Sequence, residues 1–394
     1  MLFFTHQSLN RSLRGILVAG LALPLAAQSP LEIKTDNSSV KFGLLLQPQF
    51  EAIGAPTKDG TLQNLYLRRA RFLVGGTLGS DFEYFFETDS ANMGKTGTVP
   101  TTLDGSKAAA TMVVQDAVIT WKADDAFKID TGLILIPFAH NSNQSAASLL
   151  SWDYFSYSFS QNAAMSTNVG RDLGVQFRGL VAKQFEYRLG VFQGKRVAEA
   201  PATTTPVSPA RLQSRNAMRI AGRLQYNFFD AETGMFYAGS YAGAKKILSI
   251  GLGYDKQDNY TGTAYDLFFD WPLASKDVLT FQVNHVGYEG KLDPAPLIVL
   301  AKQTGTSAEA GYRFSALKFS PILRYEKKTF DVHTAANLDE TRFGGGLAFW
   351  LKGNNANVKI FYTNIKPENV VVGTALTKQR SYDQINVQFQ YFIF

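Results

Sequence analysis

Residues 65–76 read LYLRRARFLVGG, and the three arginines in that apolar run decide the architecture. A helix would scatter Arg68, Arg69 and Arg71 around its axis. A strand alternates its side chains, so Arg69 and Arg71 share one face while Ala70, Phe72 and Val74 share the other. One face must meet water and the other must meet something apolar. On this alternation Arg68 falls on the apolar parity, which puts it at a membrane interface or under a neighbouring subunit.

The pattern recurs along the chain. In NAMRIAGRLQYNFF (216–229), Met218, Ile220, Leu224, Tyr226 and Phe228 share one parity, and Arg219, Arg223, Gln225 and Asn227 the other. EYRLGVF (186–192), TFQVNHVG (280–287) and INVQFQYFIF (385–394) behave alike. Sixteen such segments are expected, beginning near residues 40, 65, 82, 111, 127, 171, 185, 217, 247, 261, 278, 305, 318, 342, 356 and 382. Short connections such as 79–81, 123–125 and 182–184 alternate with long ones such as 91–109, 138–169 and 195–214. Short turns at one end and long loops at the other are the signature of a transmembrane β-barrel, and an even strand count returns both termini to one side. The segment DAETGMFYAGSYAG (230–243) breaks the rule, being long where a turn belongs. The final residue, Phe394, shares a parity with Phe392 and not with Ile385, Val387 and Phe389, which calls for a bend or bulge in the last strand.

Composition agrees. The 394 residues include 33 Gly, 30 Phe and 17 Tyr with only 18% charged residues, which favours β structure. Mean hydropathy is near zero, as it is for a barrel whose apolar residues are diluted by alternation. The absence of cysteine excludes thiolate metal sites, disulfides and thiol nucleophiles, and the four histidines form no ligand spacing, so no metal or other cofactor is expected. The start of the chain carries Arg11 and Arg14, then the apolar run GILVAGLALPLAA (15–27), too short to span a bilayer as a helix. It reads as a signal peptide over 1–27, leaving 28–394 as one barrel domain. The formal net charge of +6, with no basic run, gives no footprint for nucleic acid.

Alternation alone fits either a soluble barrel with an oily centre or a membrane barrel with a wet one. Loop asymmetry, strand number, the leader and the terminal aromatic together select the second. The chain is therefore expected to be an all-β transmembrane antiparallel barrel of about 16 strands, with long outer loops and one pore-constricting loop. Its partners are outer-membrane lipid and small solutes, and its place is the outer membrane of a Gram-negative bacterium.

Several stretches, in order, carry a family resemblance: LRRARFLVGGTLGSDFEYFFETD (67–89), GLILIPF (132–138), GRDLGVQFRG (170–179), YNFFDAETGMFYAGSYAG (226–243) and LSIGLGYD (248–255). Together they resemble the phosphate-selective porin O/P family of outer-membrane channels. The resemblance implies a sixteen-stranded barrel, a homotrimer, and a third long loop (138–169) folded into the pore. It also implies arginines and lysines at the constriction. This loop departs from that pattern: it has no Lys or Arg, and its formal charge is Asp153.

The expected bore-lining, anion-contacting cations are therefore on the wall. They are Arg69 and Arg71, Arg178 and Arg188, Arg219 and Arg223, then Arg313, Arg324, Arg342 and Lys359. Lumen acids nearly balance them, so the expected preference is weakly anionic, for phosphate or organic anions. An alternative for any one charge is pairing across strands. On the constriction loop the candidates are Trp152, Asp153, Tyr154 and Tyr157. Its aromatics either form a stacking track for sugars or pack the loop against the wall. A barrel hydrolase is the further alternative, but no G-x-S-x-G motif occurs and His285 lies on the lipid parity, so no enzyme is expected.

Overall fold

A computed structural model describes residues 31–55, 59–96, 111–158, 170–194, 218–257, 260–292, 298–331, 339–368 and 380–394. The proposed signal peptide lies outside the described residues.

Alternating apolar and polar residues, rich in aromatic and β-branched types, form seventeen strands. The first nine are β1 (Leu31–Lys34), β2 (Ser38–Gly54), β3 (Thr61–Leu78), β4 (Phe82–Asp89), β5 (Val113–Lys122), β6 (Lys128–Leu135), β7 (Arg171–Val181), β8 (Phe185–Phe192) and β9 (Arg219–Asn227). The rest are β10 (Ile247–Gln257), β11 (Tyr260–Pro272), β12 (Val278–Leu292), β13 (Ile298–Arg313), β14 (Phe319–Phe330), β15 (Asp339–Phe349), β16 (Ala356–Glu368) and β17 (Tyr382–Ile393). Strands β2 to β17 pair antiparallel in chain order, and β17 pairs with β2 to close a sixteen-stranded barrel. Closure leaves no edge in the barrel, so every strand from β2 to β17 has two hydrogen-bonding neighbours.

The expected starts agree with these strands to within a few residues, except that β13 begins at Ile298 and not near 305. The added β1 lies beyond the end of β17. Ile393 pairs with Leu44 of β2, and Leu31 pairs with Phe42. Both described chain ends thus meet at one end of the barrel, hereafter the terminal end. The last strand keeps one register from Gln384↔Ile53 to Ile393↔Leu44, so the anticipated bend or bulge is absent. Phe394 instead follows the inward parity of the buried Gln388 and Gln390. Its ring lies over Gly43 and Gly75, where an added Cβ would collide with it, and packs edge-on against Phe85 at 5.7 Å.

Inside and outside are inverted relative to a soluble barrel. On β14, Leu323 is 60% exposed and Arg324 only 6%. Phe177, Leu189, Ile220, Leu252 and Tyr362 also face outward, whereas the buried polar residues line the interior. Around the outside of the terminal end runs an aromatic girdle: Trp121, Phe127 and Phe177, then Phe229 and Trp271, then Phe314 and Phe319. Such girdles sit at membrane–water interfaces.

Arg68 does not follow the parity expected for it. The β2–β3 register shifts between Gln47 and Pro48: Gln47 pairs with Arg69 and Pro48 with Leu67. Arg68 is the extra residue of this β-bulge. An unpaired residue resets the alternation, so Arg68 and Arg69 both point inward.

Candidate functional site: two loops in the bore

The segment between β6 and β7 leaves the barrel at the end away from the termini and folds inside. From Phe138 to Ser158 it is buried except at Ser156 and at five half-buried positions. A loop cut off from water must find partners for its backbone, and here wall side chains supply them. Asp266 accepts from His140 N (3.0 Å), Asn284 from Asn141 N (3.0 Å) and Glu326 from Ser156 N (2.6 Å). Arg324 donates to the carbonyls of Asp153 (2.6 Å) and Tyr154 (2.5 Å), and Lys359 to those of Leu149 (2.7 Å) and Ser151 (2.9 Å).

The segment between β9 and β10 enters from the terminal end. This is the stretch whose length broke the alternation of turns and loops. It holds to the wall through Arg188, which donates to the carbonyls of Gly234 (2.8 Å) and Met235 (2.7 Å). The two segments meet inside the barrel. Tyr237 N donates to Asn143 O (2.9 Å), Ser145 N to Tyr237 O (2.9 Å), and Gly239 N to Ser148 O (3.0 Å). Gln144 and Tyr237 form a parallel bridge. The His140 ring lies between Tyr237 (4.9 Å) and Phe268 (4.2 Å), and its Nε2 is 3.0 Å from Glu232 of the other loop. Glu232 also accepts from Tyr241 and Gln225. Burial pushes the Glu232 carboxyl up, but His140 and the Tyr241 hydroxyl outweigh it and hold it below the ordinary glutamate range.

Two cavities lie against the inserted segments. One, about 1170 Å³, opens at the terminal end, and Ser145, Ala147, Ser148 and Phe236 are in its lining. The other, about 200 Å³, lies against Arg68, Arg69, Arg71 and Arg171 on the wall and Trp152–Ser156 on the loop. The two linings share no residue.

Eight of the ten wall cations are ion-paired. Arg69 meets Asp153 (2.6 Å), Arg71 meets Glu87 (2.5 Å) and Asp89 (2.9 Å), and Arg178 meets Asp130 (2.6 Å). Arg188 meets Glu186, Arg219 meets Asp255 and Asp172, Arg223 meets Asp266, Arg324 meets Glu326 and Arg342 meets Glu340. Lys359 is held by loop carbonyls, and Arg313 stacks 5.2 Å over the Trp350 ring. Pairing across strands, pairing along a strand (Arg188, Arg324 and Arg342) and loop anchoring thus occupy most of these groups.

On the loop, Asp153 bridges Arg68 (2.7 Å) and Arg69 (2.6 Å). Burial raises its carboxyl, and the two guanidiniums outweigh burial, so the net shift is well down. The Tyr154 hydroxyl donates to Gln144 O, and Tyr157 to Glu340. Trp152 packs on the cluster of Leu150, Ile322, Trp350 and Phe361. Phe155 and Tyr157 are buried, so these aromatics pack the loop and do not form an open row of rings. Sequence reading missed Arg68, His140, Glu232 and Tyr237. The one available signal was the over-long 230–243 segment. Among the described residues no group of His, Asp or Glu is arranged to hold a metal ion.

The family model of phosphate-selective porin O and P matches residues 40–227. That stretch runs from β2 through β9, eight of the sixteen barrel strands, and over it the family resemblance read from the sequence is matched. No curated protein sequence matches the chain. Among solved structures, OmpF of Salmonella typhi in complex with daunomycin aligns with a TM-score of 0.55 at 11% identity, covering 92% of this chain and 100% of that one. The outer membrane channel DcaP of Acinetobacter baumannii aligns with a TM-score of 0.53 at 10% identity over 92% and 100%. The trimer form of OmpT, an outer membrane protein of Vibrio cholerae, gives 0.52 at 12% identity over 91% and 100%. At these identities the likeness is one of porin fold.

Proposed function

We propose that this chain is a passive outer-membrane porin for small hydrophilic solutes, weakly selective for anions, including phosphate or organic anions. The observation that carries the reading is the charge left accessible beside the constriction loop. Side chains of Arg68 (23%), Lys95 (18%) and Arg342 (24%) keep more exposure than the carboxylates of Glu51 (3%), Asp153 (11%) and Glu340 (17%) that pair with them. Lys328 adds a cation stacked over Tyr157 and Phe330. A solute therefore meets guanidinium and ammonium groups before their buried counter-ions, and accessible fixed charge of one sign draws ions of the other. The apolar exterior and girdle suit outer-membrane lipid, with the terminal end toward the periplasm and export through the 1–27 leader. A homotrimer is part of the proposal; the OmpT neighbour is described in a trimer form.

Reversal potential in planar bilayers under a salt gradient tests the reading. The expected result is a modest excess of anion over cation permeability. Clear cation preference, or no conductance from folded protein, refutes it.

A further inference from the structure

Arg68 and Arg69 differ from the other ion-paired arginines of the bore. Arg71 takes Glu87 and Asp89 from a strand, and Arg324 takes Glu326. Arg68 and Arg69 take their carboxylate from the loop. The β-bulge makes this arrangement, because without it two consecutive strand residues would face opposite sides. Asp153 sets one oxygen on each: Oδ2 on Arg68 Nε at 2.7 Å and Oδ1 on Arg69 Nη2 at 2.6 Å. The far side of Arg69 is fixed by Gln47 at 2.8 Å and its face by the Tyr154 ring at 5.2 Å. Arg68 is bound only through Nε, so among the described residues its terminal nitrogens have no acceptor, and it lines the 200 Å³ cavity.

We propose that Asp153 is a tethered counter-ion, occupying from the loop the seat between Arg68 and Arg69 that a solute's carboxylate takes when the loop carboxylate is displaced or neutralised. Exchanging one carboxylate for another leaves no buried guanidinium uncompensated, which is the arrangement that would oppose the swap. Two guanidiniums offering N–H groups to two oxygens are matched to a planar oxyanion. The cavity holds on the order of seven waters at about 30 Å³ each, room for a small mono- or dicarboxylate. Asp153 is then the specificity-determining residue of the constriction: while seated, it lowers the anion preference that the two arginines would otherwise confer. This inference rests on the porin reading.

The test compares the unaltered protein with Asp153→Asn in planar bilayers, first in chloride and then with added acetate, succinate or phosphate. The anion-to-cation permeability ratio in chloride is expected to rise by about 25-fold, because one unit charge about 4 Å from the path at water's dielectric constant shifts anion and cation each about fivefold, in opposite directions. Succinate is expected to block chloride current saturably in Asp153→Asn, at concentrations at least tenfold below those needed in the unaltered protein. The block is expected to vanish in Asp153→Asn/Arg68→Ala. Block by phosphate as strong as by succinate, or by phosphate alone, would overturn the carboxylate assignment. A permeability shift without saturable block overturns the proposal, as does block that survives loss of Arg68. Asp153→Ser provides the same readings should Asp153→Asn fail to show heat-modifiable gel mobility. An unaltered protein that prefers cations would instead refute the porin reading, whatever the variants do.

Discussion

The clasp between the two inserted segments makes the most direct prediction. Gly239 sits against the backbone of the other loop. A Cβ added there would lie 2.8 Å from Leu150 N, 2.9 Å from Leu149 Cα and 3.0 Å from Ser148 O. Every one of these neighbours is main chain, which cannot yield by a rotamer change. Gly239→Val must therefore push the 230–243 segment away from residues 148–150. Two backbone hydrogen bonds fall with it, from Gly239 N and Ser240 N to Ser148 O, at 3.0 and 3.2 Å. At about 0.5–1.5 kcal/mol each, their loss amounts to roughly 1–3 kcal/mol. A shift of that size moves an equilibrium between clasped and parted loops roughly 5- to 150-fold. The barrel wall is untouched, so heat-modifiable gel mobility should be retained. Single-channel recording should show a larger mean conductance or a larger fraction of time open, because the contact between the two segments that fill the bore has been loosened. Folded Gly239→Val with unaltered conductance and open time would refute the argument that the clasp obstructs the bore.

The remaining predictions address the charge anchors and the inversion of the barrel. Asp153 ionises below the ordinary aspartate range, so its tether is present above that range and is lost as pH falls through the depressed value. Conductance of the unaltered protein should thus hold steady from pH 7 to about 4, the ordinary value for aspartate, and change only below it, which a pH series of single-channel recordings would read. His140→Ala removes the basic partner of the fully buried Glu232 and should lower unfolding stability in detergent by about 3–5 kcal/mol, while Glu232→Gln, which removes the buried charge and keeps the side chain's shape and one of its two acceptor oxygens, should cost less. Urea titration followed by tryptophan fluorescence would rank the two, and the reverse order would contradict the assignment. Leu323→Arg, on the outward face, should destabilise the barrel in bilayers by about 2–4 kcal/mol if it sits at mid-membrane, and a neutral effect would place that face away from lipid.

How far the sequence carried the argument depended on whether a property was local. Alternation is local, and Ile220 outside with Arg219 and Arg223 inside could be read from the residues alone. Strand starts followed for the same reason. Arg68 could not be placed, because a β-bulge is specified by pairing with Gln47 and Pro48, some twenty residues away, and one unpaired residue reverses the parity. Phe394 was legible in parity but not in meaning. In the sequence its inward position reads as an irregularity, and only Gly43, Gly75 and Phe85 explain why a ring fits there. The clasp was hidden more deeply still. Residues 143–148 and 237–240 lie about ninety positions apart and enter from opposite ends, so no periodicity links them.

The bore-facing arginines show why a residue list is not a charge map. Read from sequence, they form a basic lining. In the fold, Arg324 and Arg188 each give two hydrogen bonds to loop carbonyls and others to a glutamate on the same strand, and Arg219 and Arg223 are almost wholly buried with their aspartates. A buried pair of this kind presents little field to a passing ion, and its partners are held by short contacts on rigid strands. The charges left to meet solute should be the few whose partners are incomplete, and Arg68 is one of them: a single nitrogen is bonded, and that to a carboxylate carried by a loop. Selectivity should therefore respond weakly to removal of Arg219 or Arg223, which should instead destabilise the barrel, and strongly to changes at Arg68 and Asp153. Paired reversal-potential and urea measurements on Arg223→Gln and Arg68→Gln would separate the two classes. If Arg223→Gln shifted selectivity as far as Arg68→Gln without loss of stability, burial would not be what silences a wall cation in this bore.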